Sequence, residues 1–441
     1  MRTASSIGAA PPAGRHLPTD GAAGPHAPPS PLRENFAWTF AGNTVYAGCQ
    51  WAIVVVIAKL ASPEAVGTFA LGAAITAPVF LFAGLHLRAS QVTDAARRFA
   101  FAEYRAVRVA GMAVALAAVV VIAALSSYDA PTRLVVLAVG ASKAIEGMSD
   151  LYYGVLQQHE RMRAIAVSLL WRGPLAVLAV AAALWAGGGL LLAVTALAAS
   201  WAVVLLVHDR RAAAPFLRAS PLRRPVDRRA AARIVAVCLP LGLVMMLVSL
   251  RTNIPRYFIQ DRAGPGELGI FAALSSLLIA GNLVIGALGQ AAIPRLARYS
   301  HEGDLRAFRR LLAFLLAVAV LLGGAGLLVA AFAGAPRLRA VFGARYAGRS
   351  DVLVALMAVG LLSYAASFLG YGLTAMRRFT VQLPLFAGST LACTGACLWL
   401  VPAQGLMGGA WAWGASLLIE LVATAVVLKL ALRRRAAGGV P

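Results

Sequence analysis

Apolar residues run along this chain in blocks, separated by short polar or glycine- and proline-marked breaks. A membrane-crossing helix needs about 20 mostly apolar residues. Twelve such runs are present: 36–58, 66–87, 109–127, 134–157, 164–186, 189–207, 234–259, 267–288, 311–333, 351–375, 380–401 and 406–428. Breakers divide them at Ser62-Pro63, Asp129-Ala130-Pro131, Gly187-Gly188-Gly189, Gly264-Pro265-Gly266, Gly334-Ala335-Pro336 and Pro402. The pattern predicts an all-α polytopic membrane protein with about twelve transmembrane helices. Composition agrees: 60% of residues are hydrophobic, 13% are charged and the mean hydropathy is +0.78. A water-soluble domain carries about 25% charged residues.

The runs also repeat. Ser62-Pro63-Glu64-Ala65-Val66-Gly67-Thr68-Phe69-Ala70-Leu71 aligns with Gly264-Pro265-Gly266-Glu267-Leu268-Gly269-Ile270-Phe271-Ala272-Ala273. Tyr153-Gly154-Val155-Leu156 echoes Tyr371-Gly372-Leu373-Thr374. Each unit holds six runs, an even number, so both enter the membrane from the same side as a parallel repeat. This divides the chain into an N-terminal bundle, 35–207, and a C-terminal bundle, 234–430. A basic cytoplasmic linker, 208–233, joins them, and a tail follows, 431–441. Residues 1–34 have no apolar core and read as a disordered cytoplasmic arm, or as a product of a misplaced start codon. Parallel-repeat transporters place substrate near the midplane, between the halves.

The net charge of +23 raises the question of nucleic acid. Its distribution answers it. Lys and Arg favour alternate loops by about four to one, a topology signal that puts both termini in the cytoplasm. No compact basic face with interleaved aromatics exists, so no nucleic-acid partner is expected. The eight arginines of 208–233 are read as topology and as attraction to anionic membrane lipids, with contact to waiting head groups or biosynthetic partners as a second role.

Charges inside the runs carry the candidate chemistry, because an ionised side chain at mid-membrane costs roughly 2.5–3.5 kcal/mol and faces a cavity or a partner. Lys143, Glu146 and Asp150 fall within an arc of roughly 60° on the fourth run. Lys143 and Glu146 are spaced to pair, either structurally or as part of a site. Arg172 lies in Trp171-Arg172-Gly173-Pro174 of the fifth run. Pro255 removes a donor from the carbonyl of Arg251, which places Arg251, Asn253 and Arg256 in a broken outer segment of the seventh run. Arg256 has the alternative of snorkelling to outer head groups. Cations on at least three helices suit an anionic head group, since the arginine fork binds two phosphate oxygens at once. His86 and the four cysteines (Cys49, Cys238, Cys393, Cys397) read as packing residues, and no metal site or cofactor is expected.

Several segments together resemble a known family. They are Asn43-Thr44-Val45-Tyr46-Ala47-Gly48-Cys49-Gln50-Trp51, Ala58-Lys59-Leu60, Ser62 to Gly67, Pro78, Leu87-Arg88, Gln91-Val92-Thr93-Asp94, Leu239-Pro240-Leu241-Gly242, Asn253 to Tyr257, Gly370-Tyr371-Gly372-Leu373 and Met376-Arg377-Arg378-Phe379. The chain is similar, from residue 35 to about 430, to the polysaccharide transport family of O-antigen and exopolysaccharide flippases. That family sits in the multidrug/oligosaccharidyl-lipid/polysaccharide exporter superfamily. The resemblance implies a MATE-like exporter fold in the bacterial inner membrane, moving undecaprenyl-pyrophosphate-linked oligosaccharide by alternating access through a central cationic cavity. On that expectation Lys143, Arg172, Arg251, Asn253 and Arg256 bind substrate, and Glu146 and Asp150 contact sugar or couple an ion. Partners would be the lipid-linked oligosaccharide, anionic lipids, a polysaccharide polymerase and glycosyltransferases.

The alternatives are an ion-coupled drug antiporter of the same superfamily and, further off, a membrane-embedded polymerase or ligase. An antiporter for cations would want an acidic cavity. A glycosyltransferase would want a soluble domain or an Asp-x-Asp motif, and neither is present; an enzyme is not expected. No Gly-Lys-Ser/Thr occurs, which excludes a Walker A ATPase.

Overall fold

The computed structural model describes residues 32–94, 98–218, 226–376 and 379–436. Most of the expected arm, part of the basic linker, the pair Arg377-Arg378 and the end of the tail lie outside the described residues.

The described chain is helical throughout, without strands among the described residues. The first half comprises α1 (Leu32–Leu60), α2 (Pro63–Gly84), α3 (Leu87–Thr93), α4 (Phe101–Leu125), α5 (Ala130–Gln158), α6 (Met162–Trp185), α7 (Gly189–Val204), a π-turn (Leu205–Asp209) and α8 (Arg210–Arg218). The second comprises α9 (Arg228–Ser276), α10 (Leu278–Glu302), α11 (Leu305–Val341), α12 (Ala344–Ala347), α13 (Ser350–Ala375) and α14 (Phe379–Ala436). By length and composition, nine stretches among the described residues can cross a membrane. Two of these cross twice. Arg228–Glu302 folds at Gly264 (φ 79°) and Val381–Arg433 at Gly405 (φ 56°), left-handed conformations that glycine adopts freely. α5 spans 29 residues and adds the twelfth crossing; its charged stripe lowers its hydropathy below its neighbours'. Twelve is an even number, so the first and last described residues, Leu32 and Ala436, lie at one end of the bundle, called proximal below.

Local chemistry sets the ends. The Ser62 hydroxyl accepts from the Ala65 amide at 3.3 Å and Pro63 opens α2. Asp227 caps α9 and Asp304 caps α11 in the same way, accepting from Arg229 and Ala307 at 2.8 and 2.9 Å. Leu85 and His86 both adopt positive φ and split α2 from α3, so the second run does not continue smoothly through residue 87.

Three expectations need correction. The segment after 207 is not a loop at its start: the sixth crossing runs through the π-turn into α8, whose Arg210, Arg211 and Arg218 are exposed while Ala213 is buried. Amphipathic spacing sustains this helix beyond the apolar run. The break expected at Gly334-Ala335-Pro336 does not end the ninth helix, because α11 continues to Val341 past a kink at Ala333. The seventh run is not broken at Pro255. Its helix is continuous to Gly264, and the Arg251 carbonyl that Pro255 leaves without a donor accepts instead from the Cys393 thiol of α14, at 3.6 Å. A neighbouring helix re-satisfies the freed backbone, which is how membrane helices tolerate proline.

The halves meet at the repeated motif. α2 packs along α9, and the distal start of each repeat crosses the other at glycine. A Cβ at Gly67 would fall on the carbonyl oxygen of Pro265, and one at Gly269 on that of Pro63. Lipid offers no hydrophobic drive between helices, so association leans on such small-residue contact. One core cluster, holding Ile53, Ile57, Leu71 and Val136 with Phe271 and Leu274, joins the halves there. A second, around Leu296, Phe308 and Phe368, belongs to the C-terminal half.

Candidate functional site

A chamber of about 180 Å³ lies within the first half and is lined by residues of α1, α3, α5 and α6. Thr39, Asn43 and Tyr46 come from α1, Arg88 from α3, Glu146, Asp150 and Tyr153 from α5, and Arg172 from α6. It reaches from near the proximal ends of these helices to mid-depth, since Arg172 lies roughly 15 Å along α6 from Met162. The midplane cavity expected between the halves is therefore replaced, for these charges, by a chamber inside one bundle.

At its deep end, Arg172 is 2% exposed and its Nε and Nη2 have no hydrogen-bond partner. The guanidinium stacks on Trp201 of α7, 4.2 Å from the ring centre, and lies 6.0 Å from that of Tyr46. Lys143 donates to Glu146 Oε2 at 2.8 Å and lies 5.8 Å from the Trp201 ring centre. The other oxygen of Glu146 accepts from the Tyr46 hydroxyl at 3.0 Å, which in turn accepts from Gln50 at 2.7 Å. Lys143 and Glu146 thus form an ion pair beside Arg172, whose Nε and Nη2 take no part in it.

At the proximal end Asp150 turns away from that pair. Its Oδ2 accepts from Arg108 of α4 at 2.9 Å and its Oδ1 from Arg88 at 3.4 Å. The single stripe expected on α5 is accordingly two clusters. The lining holds two bases, Arg88 and Arg172, and two carboxylates, Glu146 and Asp150; Arg108 and Lys143 pair with those carboxylates from outside the lining.

The remaining predicted residues lie in the second half. Arg251 forms a buried ion pair with Glu420 of α14, both residues 7% exposed. It does not line the chamber. Asn253 donates to the Ser249 carbonyl at 2.9 Å and accepts from Arg256 at 3.1 Å; Arg256 also donates to Ser275 at 3.4 Å. Arg256 is held between the two arms of α9 and does not reach for head groups. Thus Lys143, Glu146, Asp150 and Arg172 converge, while Arg251, Asn253 and Arg256 do not join them. Sequence reasoning missed Arg88 and Tyr46 as lining residues, and Arg108 and Trp201 as the partners of Asp150 and Arg172. Among the described residues no cluster of three or more His, Cys, Asp or Glu is placed to hold a metal.

This architecture is shared with proteins of known structure. A MOP superfamily transporter from Pyrococcus furiosus superposes with a TM-score of 0.62 at 15% identity, over 92% of this chain and 95% of that one. A mutant form of the Vibrio cholerae MATE transporter VcmN gives 0.61 at 14% identity, over 91% and 96%. The fold is that of the MATE-type transporters. The family is narrower: over residues 32–300 the chain matches the polysaccharide biosynthesis protein family, and it belongs to that family. The capsular polysaccharide biosynthesis protein CapF of Staphylococcus aureus is 24% identical over 379 residues, 86% of this chain and 94% of that protein. The chain is a multi-pass membrane protein of transporter fold.

Proposed function

We propose that this protein is a flippase, carrying a lipid-linked (undecaprenyl-pyrophosphate) oligosaccharide across the bacterial inner membrane during surface polysaccharide synthesis. The reading rests on one observation above all: Arg172 is buried at mid-depth with two donor nitrogens unused, beside a chamber whose two carboxylates are already paired with Arg88, Arg108 and Lys143. An uncompensated donor set in a membrane interior is costly, and a diphosphate is the chemistry that removes the cost. Trp201 supports the flat face of the guanidinium and leaves its edge for phosphate oxygens. The proximal end is the cytoplasmic end, by its excess of Lys and Arg, so the chamber loads from the side where the substrate is made. Conformational exchange between the halves would then present the head group to the other side. Lys143 assists from its pair with Glu146.

A drug or small-cation antiporter fits the same fold but calls for an excess of unpaired carboxylate, and both carboxylates of the chamber are paired with bases. Arg172→Ala is expected to lower surface polysaccharide by at least about tenfold while the protein stays in the membrane at its normal level. Arg172→Lys keeps charge but loses the fork and the stacking, and should recover only part of it. Undiminished polysaccharide in an Arg172→Ala, Lys143→Ala double variant would sink the reading.

A further inference from the structure

We propose that Asp150 is a built-in occupant of an anion site made by Arg88 and Arg108, and that a phosphate group of the substrate displaces it. This rests on the reading that the chamber receives an anionic head group.

The two arginines are fixed from behind. Arg88 Nε donates to Gln157 Oε1 at 2.9 Å, and its guanidinium lies 5.5 Å from the Tyr153 ring centre. Arg108 has only 5% of its side chain exposed and packs against Gly84, where a Cβ would sit 3.3 Å from Nη1. Asp150 is the member with room to move: 34% of its side chain is open and it lines the chamber. It bridges the guanidiniums with one oxygen each, the contact to Arg88 being the longer, at 3.4 Å against 2.9 Å. Two cations share one carboxylate, so the site is under-neutralised by one charge. A phosphoryl group bearing more charge and three oxygens matches two forks better than a carboxylate does.

The carboxylate then has two tasks. In the unloaded protein it spares the membrane interior two bare guanidiniums. In the loaded protein it competes for them and weakens the hold on the head group, so that release is possible. A competitor of this kind lowers apparent affinity by the fraction of time it holds the site.

The test uses the purified full-length protein and inorganic pyrophosphate, with binding followed by calorimetry. Asp150→Asn is expected to bind about tenfold more tightly than wild type, and Arg88→Ala about tenfold more weakly. In cells Asp150→Asn should depress surface polysaccharide despite tighter binding, because release slows. Glu146→Gln removes a negative charge from the same chamber without vacating the two arginines, and should gain much less. An equal gain in Glu146→Gln would show that charge alone is at work and overturn the proposal. Unchanged or weaker binding in Asp150→Asn would overturn it too, while leaving the chamber reading intact. If wild type binds no pyrophosphate, the chamber reading falls first and this proposal with it. Loss of both Asp150→Asn and Asp150→Ala from the membrane fraction would mark Asp150 as a structural brace and equally overturn it.

Discussion

Replacing Gly67 with alanine is expected to hold the distal ends of the two halves apart and to abolish export. A methyl group at this position meets the Pro265 carbonyl, and the opposing atom is backbone that no rotamer change can move. Overpacking in ordinary cores costs about 1–3 kcal/mol, and a backbone collision belongs at or above the top of that range. Such a penalty falls only on the arrangement in which the motifs cross. A bias of about 3 kcal/mol changes a two-state ratio by roughly a hundredfold. Spin labels at Lys59→Cys and Arg262→Cys, both exposed positions near the distal end, should report a longer separation in the Gly67→Ala background. Gly269→Ala should behave alike, because its Cβ meets the Pro63 carbonyl. Since both substitutions oppose one contact, their effects should not add. An unchanged label distance with normal surface polysaccharide would refute the role assigned to this crossing.

Arg251→Ala should destabilise the protein rather than merely impair substrate handling. It leaves Glu420 buried between α9 and α14 without its counter-charge. Breaking a buried pair from one side costs about 3–5 kcal/mol, whereas replacing both partners with apolar residues is often neutral. The melting temperature and the amount of protein in the membrane should therefore fall in Arg251→Ala. Both should recover in an Arg251→Met, Glu420→Leu double variant. A single variant that keeps its thermal stability and loses export would restore Arg251 to the substrate site.

That reassignment shows where the sequence was informative and where it was not. Helix ends were legible because glycine and proline act locally: Gly187, Gly189 and Gly264 all take positive φ at predicted breaks. The repeat was legible because its turn residues recur, and their close crossing explains why glycine stands at both 67 and 269. Arg172 stood out as an ionised residue deep in an apolar run. Arg88 and Arg108 did not. Apolar content drew the second and third runs to end at 87 and begin at 109, one residue short of each arginine, although α4 starts at Phe101. The partner of Arg251 was out of reach for a different reason. Which helices face each other is a property of the packed bundle, and no local pattern links position 251 to position 420.

The chamber's place inside a single bundle limits what it could recognise of the proposed substrate. Pockets that enclose drug-sized molecules run to about 300–1,000 Å³, and this one measures about 180 Å³. For the proposed substrate, a diphosphate would fit that volume and a chain of sugars would trail outside. On the proposed function the two ends of one cargo would be handled by separate surfaces: a small, demanding socket for the common lipid-phosphate handle, and the exterior for the variable saccharide. Such a division lets the carbohydrate diversify without rebuilding the socket.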